Sequence, residues 1–106
     1  MELVTAQHIF CHNIAKLILW TYDQGYKLTF SESFNASGKG HKKNSNHYIR
    51  LAQDLNLFID GEYKKDTKSY LPLGMFWLSL DPLNRWGGNF KIKDGNHFSM
   101  IFNGIS

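Results

Sequence analysis

Cysteine is almost missing from this 106-residue chain: Cys11 stands alone, so no disulfide can form within it. Its stability has to come from packing or from a bound metal. Also missing is any apolar run approaching the roughly 20 residues that cross a bilayer, so no membrane insertion is expected. Met1-Glu2-Leu3-Val4 has no basic stretch to open a signal peptide. His8, His12, Asn13 and Lys16 interrupt the apolar residues that follow, so the product is expected to start in the cytosol. Neither a repeat nor a low-complexity segment is visible. The length suits one hydrophobic core and leaves too little chain for a second, which predicts a single domain over residues 1–106; a monomer is expected, though length does not fix it. What is present is ordinary for a soluble globular protein, with 42% hydrophobic and 15% aromatic residues. A net charge of +3 permits attraction to nucleic acid, anionic lipid or cell-wall polymer without choosing among them. Five histidines are left to explain.

Hydrophobic period divides the chain. Ile9, Phe10, Ile14, Leu17, Ile18 and Thr21 recur at three- and four-residue steps, predicting one helix from Thr5 to Gln24, capped by Thr5 and ended by a left-handed Gly25. Tyr26 to Ser31 alternates with period two, as a half-buried strand does, with Tyr26, Leu28 and Phe30 on one face. Residues 33–46 are small, polar and basic without a period, which reads as a surface loop. The next strand lies within Tyr48 to Phe58, with Leu51, Leu55 and Leu57 inward and Ala52, Asp54 and Asn56 on the other side. Asp60-Gly61 predicts a turn, Glu62 to Lys68 a charged excursion, and Ser69 to Leu80 a short helix carrying Pro72 near its start and ended by Asp81-Pro82. Trp86-Gly87-Gly88-Asn89-Phe90 reads as a turn into a strand, and Asp94-Gly95-Asn96 as a turn into a last strand from His97 to Phe102. The expected class is α+β, a small antiparallel sheet packed against an N-terminal helix and one further short helix.

Three groups of residues invite a chemical reading. His8, Cys11 and His12 share a helix face at i, i+3 and i+4, but no further ligand completes them, and such positions usually just edge a core. Gly38-Lys39-Gly40-His41-Lys42-Lys43 lacks the spacing of a phosphate loop and has no interleaved aromatic for base stacking, so a solvated basic loop without nucleic acid is expected. The third group is His47, Asp54 and His97, two imidazoles and a carboxylate, a set that leaves a fourth position open on a tetrahedral zinc. His47 and Asp54 are seven apart and would fall on opposite faces of one regular strand, so His47 is expected in the loop or at a bend before it. Asp54 and His97 share the non-core face if their strands pair. Asp94 lies three residues before His97 across a turn, within reach of a metal-bound water. Taken alone, an exposed His-Asp pair is usually only surface.

The surrounding pattern is more specific. His47 followed by Arg50-Leu51-Ala52-x-Asp54-Leu55, with Trp86-Gly87-Gly88-x-Phe90 and Asp94-x-x-His97-Phe98 downstream, resembles the VanY-like metallopeptidases of peptidoglycan. These are D-alanyl-D-alanine carboxypeptidases and L-alanyl-D-glutamate endopeptidases, whose small single-domain members are phage endolysins. Gln7-x-x-Phe10, Leu17-Ile18 and Gly25-Tyr26-x-Leu28 extend the resemblance to nearly the whole chain. It implies a hedgehog or DD-peptidase-like fold, one zinc ion on His47, Asp54 and His97, and Asp94 as general base. The substrate would be a peptidoglycan stem peptide, cut between L-alanine and D-glutamate or at a terminal D-alanine, after release of the protein from the host cytoplasm. Ser45, Arg50 and Trp86 are further candidates for contact with substrate, Trp86 being equally readable as core. One departure stands out: where the resemblance places an arginine after Glu32, this chain has Asn35, a further candidate for contact with substrate that can donate a hydrogen bond but brings no charge. Losing an oxyanion donor costs about 100-fold or more in rate. Lys39, Lys42 or Arg50 are the cations available to compensate, and a weakened, zinc-containing wall-binding protein is the alternative.

Overall fold

The computed structural model describes residues 1–31 and 46–106; the basic loop, Asn35 and Ser45 lie outside the described residues. A first helix, α1 (Leu3–Asp23), leads into an edge strand, β1 (Lys27–Phe30). A turn over residues 46–50 precedes the long strand β2 (Ala52–Ile59), and a tight hairpin returns the chain as β3 (Glu62–Lys64). One 3-10 turn (Thr67–Tyr70) then enters α2 (Leu71–Leu80), which is followed by β4 (Asn84–Trp86), a 3-10 turn (Gly87–Asn89) and β5 (His97–Met100). The sheet runs β1-β2-β5-β4, all antiparallel, and β3 pairs with the far half of β2. No helix among the described residues is long and apolar enough to cross a membrane.

Both helices cover one face of this sheet. Ala6, Phe10, Asn13, Leu17 and Thr21 form the buried stripe of α1, at the three- and four-residue steps a helix needs to keep one face inward. Leu51, Leu55, Leu57, Phe98 and Met100 meet that stripe together with Leu73 and Trp77 of α2. Trp77 is the centre: its ring stands edge-on to Phe10 at 5.6 Å and to Phe98 at 6.1 Å. Its Nε1 donates to the carbonyls of Arg85 at 2.9 Å and Ser99 at 3.1 Å, so the ring is buried without an orphaned N–H. Tyr70 does the same at the other end, donating to Lys64 O at 2.7 Å and accepting from Leu57 N at 3.0 Å.

Several local expectations are corrected. Thr5 does not cap α1, which begins two residues earlier behind the Glu2 backbone. Phe30 is 69% exposed instead of sharing the inward face, because β1 is an edge strand that outruns the helical cover. The charged stretch after Gly61 is strand β3, since left-handed Asp60 and Gly61 close a two-residue hairpin that pairs Ile59 with Glu62. The strand expected after Gly88 lies before Gly87 instead. Side chains at Gly74 and Gly88 would overlap the indole of Trp86, so these glycines are where backbone passes over a buried ring. The last strand stops at Met100, and Phe102 pairs with Ile105 across a left-handed Asn103-Gly104 turn.

Candidate active site

The antiparallel register sets Asp54 of β2 directly opposite His97 of β5, and the alternation of side chains puts both on the face turned away from the helices. The first histidine arrives separately, on the turn before β2. That turn closes through Leu51 N to Asn46 O at 2.9 Å and is clamped at two points. The Asn46 amide, 1% exposed, donates to Met100 O at 2.8 Å and Ile105 O at 2.7 Å. Gln7 of α1 donates to Ile49 O at 2.8 Å. So held, His47 brings Nε2 to 3.3 Å from Asp54 Oδ1, while His97 Nδ1 approaches the same oxygen at 3.3 Å. The two imidazoles meet edge to face at 5.2 Å, and Phe90 covers the His97 ring at 5.3 Å.

These three side chains are nearly sealed from solvent, at 4%, 12% and 8% exposure for His47, Asp54 and His97. Burial by itself raises the Asp54 pKa, but the nearby imidazoles of His47 and His97 outweigh it and hold the carboxyl down at about 2. The group is an anion at neutral pH. Yet neither approach has hydrogen-bond geometry, and Asp54 Oδ1 and His97 Nε2 are buried without a hydrogen bond. One ligand atom from each of the three residues lies within 4.8 Å of the others, close enough for the set to share one ion. A tetrahedral zinc with bonds near 2.0–2.1 Å has ligand-to-ligand edges of about 3.3–3.4 Å, which the two Asp54 contacts match. Two imidazoles with one carboxylate suit zinc better than calcium or magnesium, which take oxygen shells. The residues fit the ion.

A family model described as D-alanyl-D-alanine carboxypeptidase matches residues 39–100, more than half of the chain and a span containing His47, Asp54, Asp94 and His97. The chain belongs to this family of M15-type peptidases. Among solved structures, the peptidase is similar to the L-Ala D-Glu endopeptidase ChiX of Serratia marcescens. The identity is 21% and the TM-score 0.58, over 72% of this chain and 68% of that one, a likeness that speaks for the fold. No curated protein sequence matches.

The other site candidates of the peptidase fall in different places. Asp94 is exposed, on the segment that enters β5, with its carboxylate outside the three-ligand cluster. Its N–H donates to Gly87 O at 2.9 Å, and its carbonyl accepts from His97 N at 3.0 Å. Any side chain on Gly87 would overlap that carbonyl, so the glycine is what lets this segment close against the sheet. Asp94 also borders a cavity of about 280 Å³ with Tyr63, Lys65 and Asn96. Arg50 borders a groove of about 470 Å³ on the α1 side of His47. Trp86 is 3% exposed and belongs to the core; its Nε1 donates to Gly95 O at 2.7 Å, supporting the Asp94 segment from beneath instead of lining a cleft. His8, Cys11 and His12 are exposed on α1 and stand outside the cluster. Sequence reasoning missed Asn46 and Gln7 as the clamps of the ligand turn. The only signal was an amide immediately before His47, since polar residues in an aperiodic stretch reveal no partner.

Proposed function

We propose that this peptidase is zinc-dependent and hydrolyses amide bonds of peptidoglycan stem peptides, with the L-alanyl-D-glutamate bond as its main target. The observation that carries the reading is the convergence of His47, Asp54 and His97 on one buried region, with one donor atom of each within 4.8 Å of the others. When bound there, zinc supplies Lewis-acid polarisation of a carbonyl and a water ionisable near pH 7. The protein's own part is to hold and to move a proton. His47, His97 and the Asp54 carboxylate would hold the ion. The Asp94 carboxylate takes the proton of the attacking water as the new C–O bond forms. It returns that proton to the amine nitrogen as the C–N bond breaks. The attachment of Asp94 O to His97 N ties base and ligand into one short segment, which supports this role.

Zinc content of the wild type beside His47→Ala and His97→Ala tests the site, with about one ion per chain expected in the wild type and none in either variant. Purified cell wall is then the substrate: turnover that chelator abolishes and zinc restores is the expected result. A metal-free wild type, or turnover indifferent to chelator, would overturn the proposal. The description of the matched family favours a second reading, a D-alanyl-D-alanine carboxypeptidase. Mass analysis separates the two, since a new amino-terminal D-glutamate marks the endopeptidase and free D-alanine the carboxypeptidase. Wall binding without cleavage at saturating zinc would instead mark a weakened, wall-binding protein. We also propose a phage or prophage lysin released from the host cytoplasm, on the resemblance of the motifs. Expression inside a host should then lyse it only when the inner membrane is permeabilised.

A further inference from the structure

Among the described residues, three non-glycine residues have left-handed backbone: Arg50 at φ 59, Asp60 at φ 52 and Asn103 at φ 50. Asp60 and Asn103 each precede a left-handed glycine in a tight turn, where short Asx side chains tolerate this conformation well. Arg50 has neither excuse. It sits between two ligands of the site, in a conformation that a Cβ disfavours and that glycine adopts freely. A disfavoured backbone next to a functional centre is reason to ask what its side chain does there.

The groove beside it answers. Arg50 borders it together with the ligand His47, while Phe10, Ile14 and Ala52 provide apolar wall. Among the described residues, Arg50 is the one permanent cation on that lining, and no carboxylate pairs with it. An apolar trough ending on an uncommitted guanidinium beside a metal ligand suits a short aliphatic peptide that carries a carboxylate.

We propose that Arg50 determines substrate choice by receiving a carboxylate of an acidic stem peptide laid along this groove, with the peptide's alkyl portion against Phe10, Ile14 and Ala52. This rests on the reading of the site as a stem-peptide peptidase and adds the anchor to it.

The test uses the zinc-loaded protein and two forms of one stem peptide, with the D-glutamyl carboxylate free or amidated. The wild type should prefer the free acid. In Arg50→Gly and Arg50→Gln the preference should vanish, with KM for the acid rising roughly 10- to 100-fold and kcat little changed. Arg50→Lys should keep part of the preference, having charge without the planar fork. Arg50→Gly should melt no lower than the wild type, so its loss is not one of folding. Equal KM for both peptides in the wild type, or a preference that survives in Arg50→Gly and Arg50→Gln, would overturn the proposal.

If neither peptide is hydrolysed, the peptidase reading fails by itself, and calorimetric binding of the same peptides judges Arg50: an acid preference lost in Arg50→Gly supports it, and no preference refutes it. Exposed Cys11 borders the same groove and reports location. Saturating acidic peptide should slow its alkylation by iodoacetamide in the wild type, and undiminished alkylation would place the peptide elsewhere and sink the assignment.

Discussion

The two faces of the β2–β5 pair are equally hidden and oppositely built. Toward the helices, Leu51, Leu55, Leu57, Phe98 and Met100 pack into the core, and the polar tips of Trp77 and Tyr70 are both hydrogen-bonded. On the other face Asp54, His97 and Ser99 are buried, yet Asp54 Oδ1, His97 Nε2 and Ser99 Oγ make no hydrogen bond. A buried polar atom without a partner costs about 1–3 kcal/mol, and an ion held by Asp54 and His97 would take up their lone pairs. One face therefore carries the stability of the domain and the other its chemistry, and substitutions should separate the two.

The sharpest separation is expected at a ligand. His97→Ala should remove bound metal and reduce peptide hydrolysis to background, while far-ultraviolet circular dichroism of the metal-free protein stays that of the wild type. A variant that unfolds without metal would break the division between the faces. Next comes Asp94→Asn, which should keep its zinc and its melting temperature while kcat falls about 100- to 10,000-fold, the span usual for loss of a general base. Full activity in that variant would remove Asp94 from proton transfer.

On the opposite face the effects should be on stability alone. Trp77→Ala should cost about 3–5 kcal/mol in denaturant unfolding, because it empties the meeting point of Phe10 and Phe98. The zinc stoichiometry of its folded fraction should be unchanged. Tyr70→Phe should cost about 1–3 kcal/mol by stranding Leu57 N–H and Lys64 O.

The smallest effect is one of pH. Burial raises the Tyr70 pKa above its ordinary 10, so folding favours the neutral phenol. Its contribution should be complete below about pH 10 and should be lost as pH rises through the higher folded-state value, because the unfolded chain ionises first. Alkaline melting curves of the wild type and Tyr70→Phe should converge accordingly; parallel curves would mean that Tyr70 is not held neutral.

Much of this division was legible in the residues. The four-and-three stepping of Phe10, Ile14, Leu17 and Thr21 and the alternation of Leu51, Leu55 and Leu57 report burial directly, because one-sided packing imposes its period on the sequence. Asp54 and His97 were assignable to one face on parity. The strand at Asn84–Trp86 was misplaced because Gly87 and Gly88 look like a turn leading into a strand, whereas they yield to the Trp86 ring and the Asp94 carbonyl, neighbours that no local pattern names.

By itself, then, the sequence determined the class of fold, the inward faces of α1 and β2 and the donor set of the site, because periodicity and donor chemistry are properties of residues in order. Tertiary structure alone decided that Asp54 stands opposite His97, that Asn46 and Gln7 clamp the His47 turn, and that Arg50 borders a groove beside it. Register and clamping depend on hydrogen bonds between residues more than forty apart, such as Gln7 with Ile49 and Asn46 with Met100, and distance along the chain leaves no trace of them in local pattern.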